Sequence, residues 1–356
     1  MAANITYHEQ TDMDNIRKLR EVLKTLPAFA KDYFRAIEPT TSTKTRISYA
    51  YDIRIFFQFL ISQNPSLAKV GIPNLNVSVL DQLKPIDIEE YMEYLKLYDS
   101  PNDQTTITNG ERGLKRKISS LRSFYTYYYK RQAIETNPVQ LVDMPKIHDK
   151  AIIRLDAGET AALLDYIEHC GDQLTGQRKA YYEKTKLRDL AIVTLLLGTG
   201  IRVSECVGLD VEDIDFRNNG IRLIRKGGSE MVVYFGPEVE KALKDYLEAR
   251  KAIFPLEGHE HALFYSTQRK RIGVQAVENL VKKYARAITT TKKITPHKLR
   301  STYGTTLYQE TGDIYLVADV LGHKDVNTTK KHYAAMDDAR RRKAATAIRL
   351  REDYED

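Results

Sequence analysis

Residues 187–205 read Leu-Arg-Asp-Leu-Ala-Ile-Val-Thr-Leu-Leu-Leu-Gly-Thr-Gly-Ile-Arg-Val-Ser-Glu. The part up to Leu197 is apolar almost all round, which predicts a helix buried in a core rather than an amphipathic surface helix. Gly198 and Gly200 stop it. A second, shorter helix should follow, in which Arg202 and Glu205 stand three residues apart and share a face. Val203, Cys206 and Val207 give it an apolar side. Taken alone, Arg202 and Glu205 are an ordinary helical ion pair.

Downstream, residues 221–235 alternate like strands, Ile-Arg-Leu-Ile-Arg and then Met-Val-Val-Tyr-Phe, with Gly227-Gly228 between them as a hairpin signal. Lys226 falls at that turn. Thr295-Pro296 opens another helix, with Thr as N-cap and Pro in the first turn. His297 and Arg300 share a face of it, while Leu299, Tyr303, Thr306 and Leu307 can pack inward. Asp313 caps a helix ending at Leu321, Gly322 fits a left-handed cap, and His323 emerges from that turn. Tyr333 stands ten residues further on, one of 23 tyrosines, so its type alone distinguishes nothing.

Upstream, Asp156-Ala-Gly-Glu159 reads as a capping box that opens a domain. The boundary before it, Pro138 to Asp156, holds Pro138, Pro145 and a polar Lys-Ile-His-Asp-Lys run. The N-terminal part predicts one or two helices over 14–36. A helix follows the polar Pro39–Thr45 stretch, with Tyr49, Ile53, Phe56, Phe57 and Leu60 on one face and Lys44, Arg46 and Arg54 toward solvent. A long loop is expected over 63–85, a helix over 86–98 and a turn-rich stretch over 99–110. The last N-terminal helix, Glu111–Arg131, sets Lys115, Arg116, Lys117 and Arg122 outside against Leu114, Ile118, Leu121, Phe124 and Tyr125.

A chain of 356 residues has room for two cores. Its net charge of +7 points toward a polyanionic partner. Cys170 and Cys206 have no metal-ligand spacing and read as reduced thiols. The opening Met-Ala-Ala-Asn-Ile-Thr-Tyr-His-Glu lacks the pattern of a signal peptide. No apolar run reaches bilayer length, so no membrane partner and a cytoplasmic location are expected.

The order Arg202, Lys226, His297-x-x-Arg300, Leu-Gly-His323, Tyr333, in its local contexts, resembles the tyrosine recombinase (phage integrase) family. Within that family it resembles the Xer type that resolves chromosome dimers, in its single-recombinase form. The resemblance spans roughly residues 43–335. It implies a mainly α fold, a two-domain DNA clamp: a helical core-binding domain (SAM-like) over 1–145, a linker over 146–156, and a mostly helical catalytic domain over 157–356 with a small antiparallel sheet and a tail helix. It implies Tyr333 as nucleophile, Arg202, His297, Arg300 and His323 on the scissile phosphate, Lys226 as general acid, and Glu205 as an orienting residue. Arg225 is the alternative basic residue at the hairpin, because Gly-Gly-Ser229-Glu230 lacks the second basic residue usual in the family. Lys44, Arg46, Lys115, Lys117 and Arg122 are candidate DNA contacts. The implied partners are double-stranded DNA with a dif-like site of two half-sites, a homotetramer on two duplexes, and an FtsK-type DNA translocase. No metal or cofactor is implied. A mobile-element integrase and a type IB topoisomerase would use the same chemistry; an integrase that binds arm sites would carry a further small domain before the core-binding helix. A non-catalytic DNA-binding protein would be expected to have lost some of these positions.

Overall fold

The computed structural model describes residues 6–100, 105–148, 152–225, 229–323 and 325–326. Lys226, Tyr333 and the expected tail helix lie outside them. The chain divides into two compact units, Met1–Lys150 and Ala151–Asp356. Among the described residues, no helix is long and apolar enough to cross a membrane.

The first unit contains α1 (Tyr7–Leu23), α2 (Ala30–Ala36), α3 (Thr43–Gln63), α4 (Pro65–Val70), α5 (Pro85–Lys96), β1 (Leu97–Asp99), β2 (Thr106–Thr108), α6 (Glu111–Lys130) and α7 (Pro138–Leu141). Helix α3 starts where Ser42 caps the Thr45 amide. Its positions 53, 56, 57 and 60 recur at helical spacing, and all four are buried against the apolar face of α6. Aromatic rings fill the space between, with Phe57 and Phe124 edge-to-face at 6.1 Å.

Several expectations for this unit are corrected. The stretch 63–85 is not one long loop but α4 and short helical turns. The turn-rich 99–110 stretch contributes to a small β1–β2 hairpin pairing Tyr98 with Ile107. Arg46 and Lys117, expected toward solvent, are both 7% exposed. Arg46 donates to Glu38 at 2.8 Å. Lys117 points at Asp52, its ammonium 3.6 Å from the carboxylate, and Arg116 donates to the other oxygen. The aliphatic stems of these cations take apolar places that the helical period reserves for hydrophobic residues.

The second unit contains α8 (Ala157–His169), α9 (Gly176–Thr199), α10 (Val203–Gly208), β3 (Ile214–Asp215), β4 (Gly220–Ile224), β5 (Glu230–Tyr234), α11 (Pro237–Arg250), α12 (Val274–Ile288), α13 (Pro296–Thr311) and α14 (Ile314–Leu321). The Asp156–Glu159 capping box opens α8. Helix α9 is the centre of this core, packed by α8, α11 and α13, and Ala191 to Leu196 are all buried. It begins eleven residues before Leu187 and ends at Gly200, whose φ of 62° is left-handed. The sheet order is β3-β4-β5, antiparallel, with Leu223 opposite Met231; β3 has no sequence signal because two residues cannot show a period. In α13, Thr306 is exposed, and Thr302 and Thr305 take the inward places instead. Thr295 occupies the N-cap position without a side-chain cap.

Candidate active site

Helix α14 ends in a Schellman motif. Gly322, at φ 60°, donates to Asp319 O at 2.7 Å, and the His323 amide donates to Ala318 O at 2.9 Å. That turn satisfies two of the carbonyls a helix C-terminus leaves open. The next three carbonyls are taken by three arginines. Arg225 Nη2 donates to Val320 O at 2.9 Å, Arg300 Nη2 to Leu321 O, and Arg202 Nη2 to Gly322 O at 3.2 Å. The partial negative charge at a helix C-terminus favours cations there.

Each arginine arrives from a different element. Arg300, one turn into α13, is 5% exposed. Its Nη1 also donates to Gly200 O at 2.5 Å, so one guanidinium joins the ends of α9 and α14. Arg202 is the N-cap residue of α10. The buried Glu205 carboxylate accepts from its backbone amide at 2.7 Å and from its Nη1 at 2.8 Å. Arg202 therefore leans on the helix from its cap and keeps 40% of its side chain exposed. Arg225 follows β4, where its amide closes the hairpin to Ser229 O at 2.9 Å. Burial lowers its pKa; the Arg202 charge works in the same direction, and Glu205 and Asp319 oppose it.

His323 stands half-buried on the turn that holds these guanidiniums. His297 is exposed in the first turn of α13, one turn before Arg300, where helix amides favour an anion. The fold thus brings Arg202, Glu205, Arg300 and the His323 backbone together at the end of α14. Among the described residues, three guanidiniums against one carboxylate, fixed by neutral carbonyls, give a preorganised cationic group suited to a phosphodiester. The carbonyl anchors at 200, 320, 321 and 322 had no side-chain signature; the glycines at 200 and 322 hinted at two of them.

Cys206 lies fully buried on the inner face of α10, and burial pushes its thiol up to about 12. Cys170 is also buried and unpaired, its thiol likewise raised by burial.

In the first unit, Lys44 is exposed and Lys115 half-buried. The half-buried Arg122 donates to Val139 O at 3.1 Å and Val142 O at 2.9 Å, so it fastens α7 to α6 instead of standing outside. With Arg46 and Lys117 buried, the exposed cations of the two helices are Lys44, Arg112, Arg116 and Lys130, with Lys115 and Arg54 half-buried; Arg116 is tied to Asp52.

Residues 154–340 match the phage integrase family, and the chain belongs to that family, the tyrosine recombinases, which transfer DNA strands. Similarity to curated proteins runs well beyond that segment. The chain is 33% identical over 337 residues to tyrosine recombinase XerC of Caldanaerobacter subterraneus subsp. tengcongensis, covering 91% of this chain and 87% of that protein. It is 30% identical over 335 residues to tyrosine recombinase XerS of Streptococcus equi subsp. zooepidemicus, covering 88% and 93%. It is a site-specific recombinase of the Xer type. Two solved structures share the fold. The XerH site-specific recombinase bound to palindromic difH substrate, a post-cleavage complex, aligns with TM-score 0.63 at 19% identity, covering 86% of this chain and 80% of that one. The Tn1549 transposon integrase with transposon right end DNA aligns with TM-score 0.62 at 21% identity, covering 89% and 98%.

Proposed function

We propose that this recombinase exchanges strands at a dif-like site with two half-sites and so resolves chromosome dimers during cell division in the cytoplasm. Tyr333 attacks the scissile phosphate, forming a 3′-phosphotyrosyl bond and releasing a 5′ hydroxyl. That hydroxyl attacks the phosphotyrosyl bond of the partner duplex, so one phosphodiester is exchanged for another and no external energy is consumed. Arg202 and Arg300 neutralise the charge that develops on the non-bridging oxygens, and His297 and His323 donate hydrogen bonds to them. Lys226 protonates the departing 5′ oxygen; a titratable ammonium suits that role where a guanidinium does not. Glu205 orients Arg202. Residues 1–145 serve as the core-binding domain and 157–356 as the catalytic domain. The working form is a homotetramer on two duplexes under an FtsK-type translocase.

The observation that carries the phosphate part is the meeting of Arg202 and Arg300 at the end of α14, on the turn that bears His323. The Xer part rests on the near full-length similarity to XerC and XerS. The test is Tyr333→Phe on a nicked suicide substrate. Half-site binding should stay near normal while covalent protein–DNA adducts vanish. Adducts formed by the phenylalanine variant would remove Tyr333 as nucleophile and move attention to Tyr303, Tyr308 and Tyr315.

A further inference from the structure

Arg225 has no role in the chemistry above, yet it is as firmly built into the site as Arg202. Its Nη2 sits on Val320 O at 2.9 Å. Its guanidinium lies directly against the α-carbon of Gly322, in the volume where any other residue would carry its Cβ. Gly322 is held to glycine by its left-handed φ of 60°, and a Cβ there would push this guanidinium out of its place. At the other end of the residue, the Arg225 amide closes the hairpin on Ser229 O. Among the described residues its buried Nε has no partner, so the Val320 bond and the glycine contact carry the anchoring.

We infer that Arg225 is a positioning residue: it pins the turn end of the β4–β5 hairpin to the C-terminus of α14, in one frame with Arg202 and Arg300. The β4–β5 ladder is only five residues long on each strand, so a bond at Arg225 lies close to its end and ties that end to the arginines. Arg225 directly follows the last residue of β4, so the hairpin is gripped at its turn end and not at its base. This deepens the proposed function, because Lys226, the next residue in the chain, is the general acid of that reading.

The test uses full-length Arg225→Ala, Arg225→Lys and Gly322→Ala, with Lys226→Ala as reference. Gly322→Ala displaces the guanidinium without touching its charge, but it also strains the left-handed cap whose carbonyl anchors Arg202, so its effect should equal or exceed that of Arg225→Ala. In the DNA-free protein, amide hydrogen exchange in peptides spanning 222–234 should quicken about tenfold in both alanine variants, as local opening becomes easier. On nicked substrates, cleavage should fall about 10- to 100-fold, the loss of one charge-assisted bond, with half-site affinity within about twofold. Arg225→Lys should lie between. A substrate with sulfur at the 5′ bridging position needs no proton on its leaving group. It should restore cleavage in Arg225→Ala as it does in Lys226→Ala. Unchanged exchange, or unchanged cleavage, overturns the inference. Rescue of Lys226→Ala but not of Arg225→Ala also overturns it and makes Arg225 a direct phosphate contact. Rescue of neither defeats the general-acid reading of Lys226, and the exchange result then decides the anchor by itself.

Discussion

Each unit hides a cluster of cations, and the two clusters are built on opposite terms. In the first, Arg116 and Lys117 meet the Asp52 carboxylate, which is buried between α3 and α6. Burial raises the Asp52 carboxyl above its ordinary value despite both cations, and lowers the Lys117 ammonium despite Asp52. In the second, Arg202, Arg225 and Arg300 meet backbone carbonyls, with Glu205 the single bonded carboxylate among the described residues. A carboxylate cancels a cation; a carbonyl orients it and leaves the charge in place. The first cluster holds helices together with its charge spent internally, and the second keeps charge available for an incoming anion. Arg188 with Asp189, under Tyr284 in the second unit, repeats the first pattern, so the distinction follows the acceptor and not the domain.

The sharpest break of that contrast is Arg300→Ala. It removes a phosphate ligand of the proposed chemistry and also strands the carbonyls of Gly200 and Leu321. Cleavage should fall roughly 10²- to 10³-fold, the scale for losing one preorganised donor. Stability should drop by about 1–3 kcal/mol for the buried acceptors left open. Arg300→Lys should recover little, since one ammonium cannot span the two carbonyls as a fork does. Single-turnover cleavage beside thermal melting separates the two losses; a melting change with full cleavage would make Arg300 purely structural.

Asp52→Ala should act in the reverse sense, costing about 3 kcal/mol of stability because it leaves Lys117 buried without its carboxylate. Cleavage by the folded fraction should be unaffected. The paired replacement Asp52→Leu with Lys117→Met should regain the whole loss and at pH 7 exceed native stability, since a buried ion pair is often no better than apolar packing. The sign of the pH effect follows from the raised Asp52 value. A carboxyl raised in the folded state contributes stability below its unfolded pKa and loses it as pH rises through the folded one. The advantage of the paired replacement over the native protein should therefore shrink as pH is lowered from 7 to about 4. Denaturant melts at both ends of that range measure it; an advantage that grows on acidification reverses the assignment.

Side-chain pattern carried the reading as far as side chains determine the structure. Ile53, Phe56, Phe57 and Leu60 announce the buried face of α3, and Asp156 with Glu159 announces the start of α8. Gly200 and Gly322 mark the ends of α9 and α14 because a left-handed residue is needed at each. Periodicity fails for Arg46 and Lys117, where long stems let cations occupy inward positions. It also cannot disclose that Val320, Leu321 and Gly322 offer carbonyls, since every residue has one and only the fold decides which point at arginines. Arg225 was visible as a basic residue at a turn, but its grip on Gly322 depends on two segments nearly a hundred residues apart.

The smallest effects should appear on the surface of the first unit, and they separate accessible cations from buried ones. Lys44 is exposed and Lys115 half-buried, whereas Arg46 is enclosed and bonded to Glu38. An ammonium on the outer face that meets a DNA phosphate displaces a counterion, so its removal weakens binding at all sequences alike. Lys44→Ala or Lys115→Ala should each lower the magnitude of the slope of log affinity against log salt by about 1, with little change in melting. Arg46→Ala should do the opposite, lowering stability while leaving that slope alone, because a cation already paired inside the fold releases no counterion when DNA arrives. Half-site binding titrations across a range of salt concentrations give the slope directly. If Arg46→Ala shifts it as much as Lys44→Ala does, the Arg46–Glu38 pair opens on DNA, and a cation enclosed in the first unit then spends its charge on the same partner as the second cluster.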